Sequence, residues 1–348
     1  MKSVRIVGSG LIGTSIALAL SRSGVAVEMV DNDLRAQKLA QELVGGVQGL
    51  TPELVIFATP TSALQSSLDH EFALNPQAGF IDIGSVKTKP QSLVESSLIP
   101  TARFCLTHPM AGRELGGAES AQGDLFIGRT WIVDPTGVDR DVLDLVDQLI
   151  QICGATKVEM DVASHDRAVA LISHLPQIAS SALALQLNEG SAAALEVAGA
   201  GLRDTTRIAG SNPELWAEIL TSNSDAIRPL LASLINSLQN LERSLDDFDY
   251  VKNFIKEGKN GRERIPGKHG GKAREYTYVP IVIDDKPGQL RLIFDECAFL
   301  GVNVEDLSIE HSPGQEKGLV TLAMSRNEAE RFSEHMATKG WSVHPWRS

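Results

Sequence analysis

Cysteine is scarce in this chain: Cys105, Cys153 and Cys297 are the three in 348 residues. They are widely scattered and form no CxxC pair and no even framework, so a reduced, cytoplasmic setting is expected. No charged segment followed by an apolar run opens the sequence, which enters the strand-like Val4-Arg5-Ile6-Val7 at once. No secretory leader is therefore expected. The longest apolar stretches are broken by polar residues short of a membrane span, so no membrane partner is expected either. Positive charge is in deficit, the formal net charge being −12, which speaks against nucleic acid as a partner. Apolar residues make up 43%, enough for packed cores, and the length calls for two or three domains.

The first thirty residues carry the most specific spacing. A short strand, residues 4–7, runs into Gly8-Ser9-Gly10-Leu11-Ile12-Gly13, a helix follows to Arg22, and a second strand ends in Asp31. Strand, glycines, helix, strand and acid in this register form a dinucleotide-binding fingerprint. Gly8 allows the tight turn, Gly10 lets backbone approach a pyrophosphate, and Gly13 lets helix and strand pack closely. The helix start offers free N–H groups to phosphate. Asp31 can accept from ribose hydroxyls and repels a 2′-phosphate, which favours NAD over NADP; Arg35 nearby works the other way.

The alternation continues through a strand at residues 54–58, after which Thr59-Pro60-Thr61 opens a helix at the sheet rim. Two polar clusters follow, each after an apolar run: Asp82-Ile83-Gly84-Ser85-Val86-Lys87 and Thr107-His108-Pro109-Met110-Ala111-Gly112-Arg113-Glu114. Ser85 alone reads equally well as a cap for the next helix. Ser85 and His108 on one rim read as a site, because ligands of open α/β sheets bind outside the carboxyl ends of the strands. Further strands are predicted at residues 131–134 and 156–160, giving a doubly wound α/β sheet with helices on both faces over residues 1–160.

From residue 161 to 255 the pattern is all-helical. Residues 161–189 read as one long helix kinked at Pro176. It places His174, Gln177 and Ser181 on one face and His165 opposite His174, so the two histidines are not a metal pair and no metal is expected. His174 by itself reads as a hydrogen-bonded core histidine. Arg203 and Arg207 share a helical face, paired either with protein carboxylates or with an anionic substrate. A helix from about 215 to 245, kinked near Pro229, carries a long apolar stripe of the kind that forms a core or a subunit interface. Residues 256–275 crowd Gly, Lys and Arg, which reads as a solvated linker or, functionally, a basic lid over an anion; no aromatics are interleaved for nucleic acid. Residues 276–348 read as βαββαβ, the ferredoxin-like split unit.

These motifs together resemble the prephenate/arogenate dehydrogenase family over residues 1 to about 250. The resemblance rests on the glycine motif, residues 82–87, His108-Pro109-Met110-Ala111-Gly112, Ser173-His174-Leu175-Pro176 and Arg203-Asp204-Thr205-Thr206-Arg207-Ile208-Ala209. The tail, with Asp285-Lys286-Pro287-Gly288, looks like an ACT domain, a regulatory module that commonly binds an amino acid. The resemblance implies a Rossmann domain followed by a helical domain that forms a homodimer, with an aromatic amino-acid effector at the tail. It implies an NAD-dependent oxidative decarboxylation of a cyclohexadienol: prephenate to 4-hydroxyphenylpyruvate, or arogenate to tyrosine. His108 would take the hydroxyl proton and Ser85 would bond the same hydroxyl or orient His108. Arg207 would meet a substrate carboxylate, His174 and Gln177 would line the pocket, and Gly8 to Gly13, Asp31 and Thr59 would hold NAD. Many prephenate-specific members have a histidine where this chain has Gln177, which leaves prephenate and arogenate both open. A β-hydroxyacid dehydrogenase would want a lysine near Ser173-His174, and none is there. A non-catalytic NAD and amino-acid sensor would not need Ser85, His108 and Arg207.

Overall fold

The computed structural model describes residues 1–112, 116–265, 276–311 and 316–345. Arg113, Glu114, the turn at Ser312-Pro313-Gly314 and the basic residues Lys268, Lys272 and Arg274 lie outside them. The chain forms two compact units, Met1–Leu238 and Gln239–Ser348.

The first unit is built on seven strands: β1 (Ser3–Val7), β2 (Ala26–Val30), β3 (Leu54–Phe57), β4 (Gly79–Asp82), β5 (Phe104–Pro109), β6 (Thr130–Asp134) and β7 (Thr156–Glu159). Their order is β2-β1-β3-β4-β5-β6-β7. The strands β3 and β4 are buried along their whole length, as strands covered on both faces must be. One apolar core joins the sheet to helices Leu11–Arg22, Leu34–Val44 and Arg140–Ile152 through Ile16, Leu20, Val44, Val146 and Leu149. A second core on the other face holds Leu64 and Leu68 of Thr61–Leu74 and Leu93 and Val94 of Thr88–Glu95. The doubly wound reading holds, with one departure. Strand β6 pairs antiparallel to β5, and β7 runs parallel to β6. Among the described residues no crossover helix joins β5 to β6, and the only helical stretch between them is the single turn Ala118–Ser120.

The helical region also departs in detail. Helix Val162–Val169 passes through a π turn, Ala170–His174, into Leu175–Leu185. The wider turn sits immediately before Pro176, where a missing N–H disturbs the ladder. The next long apolar stretch is two helices rather than one, Pro213–Ser222 and Ser224–Arg243, which meet at Asn223; Pro229 lies inside the second. Asn212 caps the first of these by accepting from Leu215 N at 2.8 Å. The stretch Val162–Glu189 is apolar and long enough to cross a membrane by length and composition, yet it buries His165, Asp166, His174, Gln177 and Ser180.

In the second unit, the first half of the basic segment is not a linker. Helix Phe248–Glu263 runs through residues 256–263, capped by Asp247. Then come β8 (Thr277–Asp284), helix Gln289–Leu300, β9 (Asp306–His311), β10 (Lys317–Met324), helix Arg326–Thr338 and β11 (Ser342–Val343). The sheet order is β11-β8-β10-β9 and every pairing is antiparallel. Alternate residues of β8 and β10 meet Ile293, Cys297, Phe332 and Met336 in one core, the period-2 pattern of a sheet covered on one face. The βαββαβ order expected of the tail is present.

Candidate active site

The site grows from the carboxyl edge shared by the parallel strands β1, β3, β4 and β5. After β1, Gly8 has φ +114°, and a Cβ there would lie 2.4 Å from Ala58 O. A Cβ on Gly13 would lie 2.2 Å from Gly8 O. Both positions are therefore closed to any side chain. Gly10 differs: a Cβ would meet nothing within 4 Å, so the space over its backbone is open. Gly10 caps the helix that Leu11 and Ile12 begin, with no side-chain partner for the first N–H groups. Asp31 at the end of β2 accepts from Ser9 N at 2.6 Å and from Asp33 N at 2.9 Å, tying the glycine turn to the second strand. The hydroxyls of Ser9 and, after β3, Thr59 are buried with no hydrogen-bond partner. Open backbone at a helix start beside two unmet hydroxyls fits a dinucleotide's phosphates. Next to Thr59, Ser62 N donates to Glu218 at 2.7 Å, fastening helix Pro213–Ser222 to this rim.

After β4 the chain builds a buried ion pair. Lys87 Nζ donates to Asp82 and, at 2.6 Å, to Thr107 O. Asp82 also accepts from Gly84 N and Thr107 N, and Thr107 Oγ1, which donates to Asp82 O, accepts from Trp131 Nε1. Burial pushes the Asp82 carboxyl up and the Lys87 amine down, each opposed by the other's charge. The pair locks the ends of β4 and β5 together. Ser85 stands half-buried between its two members in sequence.

His108 lies within β5, which continues to Pro109 rather than ending before it. Its Nδ1 is 2.8 Å from His165 Nε2, and His165 Nδ1 is 2.7 Å from Asp166 Oδ1. Asp166 in turn accepts from Lys87 N and Thr88 N, both at 2.8 Å. Burial, then the nearby His165, Lys87 and His174, hold His108 well below its ordinary range, with Asp166 opposing. His108 is thus a neutral imidazole near pH 7, a competent proton acceptor. His174 is buried too; burial takes it down to about 4. Its Nδ1 accepts from Asn223 Nδ2 at 3.1 Å, and the same amide donates to Asp166 O at 2.8 Å. Trp216 meets the His174 ring edge-on, with centroids 6.2 Å apart.

His165 and His174 are not on opposite faces. Nine residues of ideal α-helix rotate by about half a turn. The π turn between them turns less per residue, so both side chains reach one buried cluster around Asp166. Neither they nor any other group of three or more such side chains among the described residues forms a candidate metal site.

Gln177 Nε2 donates to Ile208 O at 3.0 Å and to Ser181 Oγ at 3.3 Å, while its Oε1 is buried without a partner. The Ile208 bond places the turn Arg207–Gly210 against helix Leu175–Leu185. Arg207 starts that turn and is exposed. Ser85 and His108 thus share a rim, as expected, and His174 joins their cluster through Asn223. Gln177 and Arg207 form a neighbouring group on the helical region.

Models of one family match two adjoining stretches: "Prephenate dehydrogenase, nucleotide-binding domain" over residues 16–159 and "Prephenate dehydrogenase, dimerization domain" over residues 161–257. The chain belongs to the prephenate dehydrogenase family. It is 29% identical to the probable prephenate dehydrogenase NovF of Streptomyces niveus over 99% of this chain and 100% of that one. Among solved structures it resembles a prephenate dehydrogenase of Aquifex aeolicus in complex with hydroxyphenyl propionate and NAD+. The TM-score is 0.68 at 26% identity, covering 75% of this chain and 97% of that one. An arogenate dehydrogenase of Synechocystis gives 0.64 at 28%, covering 75% and 99%.

Within this family fold, two residues that the sequence reading left aside, His165 and Asp166, are in the thick of the site. A signal was there. Val162, His165, Asp166 and Val169 are the buried residues of their helix, at the i, i+3, i+4, i+7 spacing of a core stripe. Two ionisable side chains in the middle of such a stripe need partners.

Proposed function

We propose that this protein is an NAD-dependent prephenate dehydrogenase, converting prephenate to 4-hydroxyphenylpyruvate with loss of carbon dioxide. The observation that carries the proposal is a neutral His108, backed by His165, on the same strand edge as an open glycine turn. Gly8, Ser9, Gly10, Leu11, Ile12 and Gly13, with Asp31 and Thr59, would hold NAD. When bound it supplies the hydride acceptor.

The chain's own residues do the rest. His108 Nε2 accepts the ring hydroxyl proton as hydride leaves the same carbon, giving a dienone. The bond from the ring to its carboxylate then breaks, and its electron pair completes the aromatic ring as a phenolate. His108 can return the proton to that oxygen, so none is consumed. Ser85 is placed to bond the hydroxyl, His174 to line the pocket, and Arg207 to fork onto a substrate carboxylate. Positioning of this kind is worth at most on the order of 7–11 kcal/mol of barrier.

One observation favours arogenate as a second substrate. Because Nε2 of Gln177 donates to a carbonyl, the amide's orientation is set and the unmet atom is the acceptor Oε1. An ammonium group on the substrate side chain would satisfy it; a keto group would not.

The homodimer is supported by the family's dimerisation domain and by exposed Leu171, Ile172, Leu183, Leu185 and Leu195, the apolar surface a partner would cover. The tail's βαββαβ order supports an ACT-like unit that binds an aromatic amino acid. Three buried free thiols are in keeping with a cytoplasmic protein.

The test is NADH formation from NAD with prephenate in one cuvette and arogenate in the other. Turnover of prephenate is expected. Turnover of arogenate alone would transfer the proposal to that substrate, and silence with both would remove it.

A further inference from the structure

Two ionisable residues stand behind the histidine to which the reaction is assigned above, and their role rests on that assignment. Asp166 is clamped at the start of helix Thr88–Glu95 by Lys87 N and Thr88 N. Burial pushes its carboxyl up, but the bonds from His165, Thr88 and Lys87 outweigh this and leave it at about 2. It is an anion at neutral pH, and an ionised carboxylate only accepts. His165 Nδ1, 2.7 Å away, must therefore bear the hydrogen. An imidazole that spends its single N–H on Asp166 meets His108 with a bare Nε2, an acceptor. His108 Nδ1, 2.8 Å from it, must then be the donor. That leaves the lone pair of His108 on Nε2.

We propose that Asp166 and His165 are positioning residues that hold His108 in the tautomer with a bare Nε2 and take over the proton it collects. As Nε2 of His108 gains the hydroxyl proton, its Nδ1–H bond breaks and an N–H bond forms at His165 Nε2. His165 keeps its Nδ1–H, so the positive charge comes to rest beside Asp166. Reversal of both transfers delivers the proton to the phenolate oxygen. His165 is fully buried, so the proton stays inside the protein between its two uses. Among the described residues, the other charged or titratable groups facing His108 are Lys87, at the start of helix Thr88–Glu95, and His174, from the π turn; both oppose charge on His108, and Asp166 favours it.

The test uses the full chain labelled with 15N-histidine, read by long-range 1H–15N spectra without substrate and assigned with His108→Asn. The expected spectrum shows His108 protonated on Nδ1 and bare on Nε2; a hydrogen on Nε2 overturns the proposal. His165→Leu should mix the tautomers and lower kcat by roughly a hundredfold or more, with KM and NAD affinity changed by less than about threefold. His165→Gln can still donate to Asp166 and accept from His108, but cannot hold a proton. It should keep the tautomer, lose part of kcat, and change the curved proton inventory of the wild type into a linear one. Equal kcat in all three proteins overturns the relay. If neither cyclohexadienol reacts, the assigned reaction falls, while the resting spectrum still decides the tautomer.

Discussion

Lys87 spends its charge on the fold. Buried with Asp82 and the carbonyl of Thr107, it cannot reach a ligand without abandoning a carboxylate that has no access to water. Removing one partner of such a pair is costly because the other is left uncompensated. Lys87→Met is expected to destabilise the first unit by about 3–5 kcal/mol in denaturant unfolding; an unchanged midpoint would contradict this account of the pair. His108→Asn is expected to keep NAD affinity and lose roughly a hundredfold or more in turnover. The acid side of the pH profile follows from the depressed histidine. His108 is ready as a base only when neutral, and its folded value lies well below 6.5. Turnover should therefore stay flat as pH falls through 6.5 and decline only below it; an inflection at 6.5 would place His108 in a solvated environment. Stability runs in the same direction. His174 has a folded value of about 4 against 6.5 when free, so the unfolded chain binds the extra proton between them. Its contribution is whole above 6.5 and is lost as pH falls toward 4. Urea midpoints measured across that range should drop. The glycines, Ser85 and His108 were legible because their motifs are local. His165 and Asp166 were not, because their chemistry depends on which strand end the helix meets.

At the scale of elements, the glycine turn separates two kinds of glycine. A methyl at Gly13 collides with backbone, whereas at Gly10 it enters open space. Gly13→Ala is expected to cost about 1–3 kcal/mol of stability as overpacking. Gly10→Ala should leave the thermal midpoint alone and weaken NAD binding, as read by cofactor fluorescence titration. Equal midpoints in the two variants would mean the helix is not pressed against the turn. Helix breaks were read less well than strands. The stretch that reads as one helix from about 215 to 245 divides at Asn223, whose amide holds His174 and Asp166. Pro229 is the sixth residue of helix Ser224–Arg243, where the ladder has already begun with Ile227 N donating to Asn223 O at 3.1 Å, so its ring removes one bond without ending the helix. The basic segment misled for a related reason: charge and glycine marked it as a linker, but capped by Asp247 it carries a helix to Glu263.

For the molecule as a whole, the proposal gives catalysis to the first unit and regulation to the tail. The solved relatives that match 75% of this chain are themselves covered to 97% and 99%, so the family's sheet and helical region stand without a tail. Deleting residues 276–348 is expected to keep turnover and abolish any response to an aromatic amino acid. A response that survives would locate the effector on the first unit. The domain order was legible because each stretch has its own hydrophobic period. The reversed strand was not, since β6 reads from sequence like any other buried strand.

That reversal sets what this scaffold tolerates. Because β6 runs against β5, β5 ends and β6 begins at the same end of the sheet, and Met110 N already donates to Thr130 O at 2.8 Å. A crossover helix would have tied the length of the return between them to the width of a sheet face. Here no such tie exists among the described residues, and the return is held instead by Ala118 and Phe126 in the core and by Gln122 N donating to Ser15 Oγ at 3.0 Å. A lineage, or a designer, could vary the length of this return outside those anchors and leave the seven-stranded frame as it is.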